Sequence, residues 1–513
     1  MRSGGLAHRP GSILLLTAAG LLIFQDARNL AAQWAFCGPT GHRVTRGKRS
    51  LGLEAPAPTG SGMALLMKTR PTSAAASSAT AGVVDKDVEL SSVSQSSVNI
   101  AKNIVGSGML SLPTGMAAFS GSPKALLPTL VVVAVIGLFS AYGFVLIADA
   151  CTRTKESTYQ GAWSKTVSPS TRWLPTLACF AQNSTGCISF AMILGDCICR
   201  IMHPDAIGPS LPSLADRDTA IVAVTIAVLF PLCSLKSMAP LAKFSLLGML
   251  SNVYIAFFCL LRLFDGSYQP GGAFFAAAPV APKFIAIAGS PWSTILTVKC
   301  SVLLSMLATA YLAHYNAPLF YQQLQPGPDG KRDGRFLVAS MLGFTVAGAF
   351  FALIMAGGFL TFGANCTGLI LNDYATTDHL ASLARCAVSL SLITAYPFIF
   401  YSLRKQVREV FGQRFADFDA ANPRLTTALL LAACTSVAMF LQDLGKLAAF
   451  AGACFGTFLI YIAPALMVLC AQARGVGPRP GGWKGRGQRA MQRAMIPLGM
   501  ALALVGAIQS LKR

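Results

Sequence analysis

From residue 97 onward, apolar stretches alternate with short polar ones. Eleven apolar segments lie near 97–120, 125–150, 173–200, 219–236, 240–264, 291–320, 335–362, 380–403, 425–442, 447–471 and 494–511. Most approach or exceed the roughly 20 residues that a helix needs to cross the hydrocarbon core. The pattern predicts an all-α polytopic membrane protein with eleven transmembrane helices.

The first segment, SVNIAKNIVGSGMLSLPTGMAAFS, departs from a plain spanning helix. Asn99, Lys102 and Asn103 sit in its first half, Gly106-Ser107-Gly108 interrupts its centre, and Pro113 follows. Glycine weakens a helix and proline removes a backbone donor. In lipid, an opened backbone is tolerated only where protein buries it or where it lines a cavity. The stretch therefore reads as a broken helix whose middle faces a substrate, against the plainer reading of a kinked helix packed through small residues. Segment six carries Ala313-His314-Tyr315-Asn316-Ala317-Pro318 near its end. Matching interruptions in the two halves point to two inverted five-helix repeats, with helices 1 and 6 broken and an eleventh helix added.

Loop charge orients the segments. Lys and Arg concentrate in alternate connections: Arg153, Lys155, Lys165 and Arg172; Lys236 and Lys243; Lys331, Arg332 and Arg335; then the 8–9 and 10–11 loops. The intervening 3–4 and 7–8 loops carry Asp205, Asp216, Asp218, Asp373 and Asp378. This is the positive-inside rule repeated, and it sets the start of the membrane domain on the cytosolic or stromal side and its end opposite.

Composition narrows the class. The 513 residues are 54% hydrophobic and 12% charged, which excludes a soluble globular protein. The net charge of +21 is explained by the membrane, since the basic residues lie in the leader and in alternate loops; nucleic acid is not an expected partner, and the lipid bilayer is. The 14 cysteines are scattered through apolar runs without metal-ligand spacing, so reduced buried thiols are expected, with no metal and no disulfide framework. No feature specifies an oligomeric state.

Residues 1–36 hold a short apolar run, Ser12 to Phe24, behind Arg2, His8 and Arg9. At about 13 residues it fits a signal-peptide core better than a span. Residues 37–91 are basic, acid-poor over most of their length and rich in Ser and Ala, the composition of a transit peptide or a disordered tail. The two parts resemble the bipartite plastid leader of algae with secondary plastids. A plastid envelope is the expected location, with plasma or vacuolar membrane as the alternative. Residues 92–513 form the expected transport domain.

Several stretches resemble the amino acid/auxin permease family, and within it the neutral amino acid transporters. SVNIAKNIVGSGMLSLP is similar to that family's first helix, AHYNAPLFYQQL to its sixth and GGFLTFG to the end of its seventh. The stretch from Leu369 to Arg404 resembles the eighth helix with its preceding loop, and LQDLGKLAAFAGACFGTFLIYIAPALMVL resembles the ninth-to-tenth region. The resemblance implies secondary active transport of amino acids, neutral ones being expected, by alternating access and coupled to Na⁺ or H⁺, with no other cofactor.

An amino acid brings a carboxylate, an ammonium and a side chain. A helix broken at Gly106, Ser107 and Gly108 offers free N–H groups to the carboxylate. Asn103 precedes the break and matches a position that the family links to the cation; Ser389, Ser391 and Thr394 in segment eight offer hydroxyls. Where Na⁺-using members often have Thr two positions before the proline, this chain has Ala395, with Thr394 one earlier. One residue turns a helical side chain by about 100°, which leaves H⁺ coupling open. His314 is a candidate proton relay and Asn316 a candidate substrate or gate contact. Lys299 and Arg385 are expected near helix ends with snorkelling side chains. The Asn183-Ser184-Thr185 triplet falls inside segment three and is discounted as a glycosylation site. No catalytic constellation accompanies these groups, so an enzyme is not expected. The competing class is a non-transporting amino acid sensor on the same fold.

Overall fold

The structure, a computed structural model, describes residues 90–204, 206, 212–235, 245–287, 289–477 and 482–512. The segments 1–36 and most of 37–91 lie outside the described residues, as do Lys236, Lys243 and Asp205.

The described chain is helical. Its elements run α1 (Val93–Ile104), α2 (Leu112–Phe119), α3 (Leu126–Thr154), α4 (Tyr159–Thr166), α5 (Trp173–Ile201), α6 (Arg217–Val224) and α7 (Ser245–Phe264). Then follow α8 (Cys300–Ala310), α9 (Ala317–Gln323), α10 (Asp333–Phe362), α11 (His379–Phe411), α12 (Gln413–Ala421), α13 (Pro423–Phe440), α14 (Leu444–Ala473, with two π turns) and α15 (Gly482–Lys512). Among the described residues, eight helices are long and apolar enough to cross a membrane: α3, α5, α7, α10, α11, α13, α14 and α15. The three other predicted segments are not regular α-helices from end to end. Segment one divides into α1 and α2, segment six into α8 and α9, and segment four passes from α6 through a π turn at Thr225–Leu229.

Outward faces carry bare apolar side chains, among them Leu127, Leu138, Leu342, Val346, Leu383 and Leu390. In water such a girdle would drive aggregation; against lipid it has no cost. The centre is α14, which is buried along almost its whole length. Gly452 permits this: a Cβ there would fall 1.7 Å from the carbonyl oxygen of Ser305 on α8. Local signals fix the first helix. Ser92 and Gln95 form a reciprocal capping box at the start of α1, closed by contacts of 3.2 and 3.0 Å.

The connection between α10 and α11, residues 363–378, folds inward and buries charge. The Thr114 hydroxyl of α2 donates to the carbonyls of Cys366 (3.1 Å) and Thr367. Asn372 Nδ2 donates to Asp196 at 3.0 Å, and Asp196 pairs with Arg217 at 2.5 Å. Asp378, fully buried, caps α11 and receives Arg262 at 2.6 Å and the Tyr268 hydroxyl at 2.9 Å. Lys299 behaves as expected, exposed at the start of α8. Arg385 does not: it is fully buried rather than snorkelling. Its guanidinium donates to the carbonyls of Leu371 (3.0 Å), Tyr374 (2.7 Å) and Ala375 (3.3 Å), so the inward-folded connection supplies the acceptors that water would otherwise provide.

Asp373 is fully buried in the same connection, outside the spanning helices. Burial pushes its carboxyl up to about 7, opposed by the Thr367 hydroxyl and N–H at 2.6 and 3.0 Å and by the field of Arg200. Thr367 has one hydroxyl proton for two acceptors, Asp373 and the Leu369 carbonyl, and a protonated Asp373 resolves the conflict by donating instead. A raised carboxyl stabilises the fold fully below about pH 4, and that contribution is lost as pH rises through about 7. The loss is at most about 4 kcal/mol. Asp373→Asn should therefore melt progressively higher relative to the parent between pH 5 and pH 8; a constant difference in melting temperature across that range would refute the assignment.

A path of eleven passes makes a second prediction. Tags in the 324–332 and 474–481 connections should be labelled from one side, and a tag at 374–378 only from the other. Labelling of all three from one side would rule it out.

Candidate functional site

The site begins where α1 stops. Helical geometry ends at Ile104, Gly106 is fully extended (φ −142°, ψ −158°), and the chain resumes as a 3-10 turn at Ser107–Ser111. Pro113 opens α2, where its missing N–H has no bond to lose. Among the described residues, the backbone N–H groups of Gly106, Ser107 and Gly108 donate to no protein acceptor. Three adjacent unmet donors at the start of a helical turn are a candidate cradle for an anion.

The second break lies against the first. Helix α8 ends at Ala310, Tyr311 to Ala313 leave the helix, and a 3-10 turn at His314–Asn316 leads into α9. Gly108 makes the approach possible: a Cβ there would sit 3.2 Å from Ala310 Cα. A hydrogen bond joins the two interruptions, from Asn316 Nδ2 to Asn103 Oδ1 at 3.2 Å. Residues 213 apart in sequence thus meet at the site.

Two cavities meet here, of about 440 and 130 Å³. The larger falls within the range of about 300–1,000 Å³ usual for small-molecule sites. Asn103, Gly106, Ser107, Phe190, Tyr315 and Ile399 are common to both walls. The larger runs toward Asn99, on the N-terminal side of the break. A third, of about 320 Å³, lies on the opposite side under the 363–378 connection, between Thr114, Asp196 and Asp443.

The residues singled out from sequence separate into groups. Gly106, Ser107 and Asn103 line both cavities, and Gly108 lines the smaller. Ser391 and Thr394 line the larger. The Thr394 hydroxyl donates to the carbonyls of Leu390 (3.1 Å) and Ser391 (2.9 Å) of its own helix, which leaves its oxygen able to accept only. Ala395 lines the same wall and adds no oxygen. Asn316 reaches the site through Asn103. Ser389 is buried and lines neither wall. His314 also lines neither: it is fully buried, with Nε2 2.9 Å from the Ser140 carbonyl and its ring set between Phe144 and Phe344.

Two groups escaped the reading of the sequence. Gln182 and Asn183 of α5 line the smaller cavity. Asn183 is fully buried, and neither its Nδ2 nor its Oδ1 has a partner; Gln182 Oε1 is likewise unmet. An unsatisfied buried amide costs about 1–3 kcal/mol, so these groups call for a water or a ligand. The signal was present as the run Gln182-Asn183-Ser184-Thr185 in an otherwise apolar helix, where polar residues are functional by default.

Two broken helices meeting at a cavity inside an apolar helical bundle are the architecture of a membrane carrier. The chain belongs to the family described as transmembrane amino acid transporter protein, whose model matches residues 89–510. It is 25% identical over 400 residues to solute carrier family 38 member 8 of Mus musculus, a match covering 74% of this chain and 85% of that one. It is 22% identical over 380 residues to sodium-coupled neutral amino acid transporter 7 of Xenopus laevis, covering 71% and 78%. Among solved structures, MhsT in complex with L-phenylalanine superposes with a TM-score of 0.50 at 14% identity, over 80% of this chain and 98% of MhsT, which supports the fold alone. The family is one of transporters, not enzymes.

The geometry separates two glycines. A Cβ at Gly106 meets no atom within 4 Å, whereas one at Gly108 meets the backbone of Ala310. Gly106→Val should abolish amino acid binding while the melting temperature stays within about a degree. Gly108→Val should lose binding and also melt several degrees lower, since overpacking costs about 1–3 kcal/mol. Ligand titration and thermal melts on the same purified variants test this. Full binding by Gly106→Val would move the cradle elsewhere.

Proposed function

We propose that residues 92–513 form a secondary transporter that carries amino acids across a membrane by alternating access, with eleven passes in two inverted five-helix repeats plus one. One observation carries the reading: three adjacent unmet N–H groups at a helix break, in the wall of a cavity shared with a second broken helix. The cradle suits the substrate carboxylate, which every amino acid has. The asymmetry of the molecule supports the mechanism. One cavity runs from the break toward the start of α1, while the opposite side is covered by the 363–378 connection, as in a carrier with one gate closed.

Na⁺ is the proposed coupling ion. Asn103 Oδ1 and the oxygens of Ser391 and Thr394 are neutral donors of the kind a hard monovalent cation takes, and a named relative is sodium-coupled. The composition of the leader supports delivery to a plastid envelope.

The test is uptake by the purified protein in liposomes, using a panel of amino acids under imposed Na⁺ or pH gradients. Uptake driven by an inward Na⁺ gradient and lost in Gly106→Val is expected. Uptake that follows pH alone would replace Na⁺ by H⁺. Binding without uptake under any gradient would make the protein a sensor and overturn the transport reading.

A further inference from the structure

The walls of the two cavities at the break are unusual in their charge. Their lining residues include one charged side chain, Lys102 on α1, and no Asp, Glu, Arg or His. Lys102 sits in the last turn of α1 and lines the larger cavity together with Gly106 and Ser107 of the break. Asn99 and Asn103 line the same cavity. Among the described residues, Lys102 has no carboxylate partner and no hydrogen bond.

A fixed cation in a protein-walled cavity acts on a bound charge far more strongly than it would in water. The N–H cradle takes the α-carboxylate and leaves the side chain of the substrate to sample the field of Lys102. An acidic side chain meets its opposite there. A basic one meets a like charge, with no acid in either wall to offset it. A plainer role is also available, because Lys102 lies in the last turn of α1, where a cation balances the helix dipole. That role affects stability and treats all substrates alike.

We propose that Lys102 sets the charge selectivity of the site, admitting amino acids with acidic side chains and excluding those with basic ones. This rests on the amino acid carrier reading, and goes beyond it by naming which charged substrates enter.

The test measures binding of L-glutamate, L-glutamine and L-arginine to the purified full chain and to three variants, with melting temperatures as a folding control. The parent should bind glutamate at least about tenfold more tightly than arginine. Lys102→Arg should keep that ratio, Lys102→Gln should bring it to within about threefold, and Lys102→Glu should invert it. An unchanged ratio in Lys102→Gln, with only the melting temperature lowered, assigns the residue to the helix dipole and overturns the proposal. Equal binding of glutamate and arginine by the parent overturns it as well. Binding of glutamine but not glutamate refutes the charge selectivity while the carrier reading stands, whereas binding of none of the three removes the carrier reading itself.

Discussion

A membrane interior gives the backbone no water to fall back on, so an N–H group left free there must be answered by protein or by a ligand. At Gly106, Ser107 and Gly108 the chain leaves three in a row. Much of the molecule keeps lipid away from this point. Gly108 lets Ala310 close against it, Gly452 lets α14 lie on α8, and α14 is buried almost throughout. The polar run of α5 faces the same space from the other side. The site is thus a gap in hydrogen bonding held open by close packing.

Much of this was legible in the sequence. Eight of the eleven apolar segments are continuous helices long enough to span. The two segments with clustered glycine, proline and polar residues are the ones broken at the site. Local chemistry writes such features directly, since glycine and proline act on their own backbone. What could not be read is which way a side chain faces. Asn183 drew notice only through a triplet discounted as a glycosylation site inside segment three, and only packing places it, unpartnered, against a cavity. His314 and Thr394 share the chemistry of a coupling site, yet only Thr394 reaches the wall. Arg385 was expected at the interface because a lone guanidinium in lipid is costly, and its acceptors are carbonyls of an irregular connection that no periodicity describes.

The two sides of the break are closed by different means. On the α1 side the links are neutral: Asn316 donates to Asn103 beside the larger cavity, and Ser91, just before α1, donates its N–H to the Gln323 carbonyl at the end of α9. On the α2 side, a web of buried ionic groups ties the 363–378 connection to α2, α5, α7 and α11. Removing one member of such a web leaves its partner buried and unpaired, which is why these contacts hold or release together. A neutral amide pair has no such penalty and can part at little cost.

Arg385 has a bearing on how the protein reaches the membrane at all. An arginine within an apolar helix is expensive to partition into lipid on its own. Its acceptors lie only 10 to 14 residues earlier in the chain, in the connection that precedes α11. The hairpin that enters the bilayer therefore brings its own solvation for the charge. Biogenesis of this segment need not wait for a distant helix to be synthesised, and the order in which the remaining helices arrive is left free.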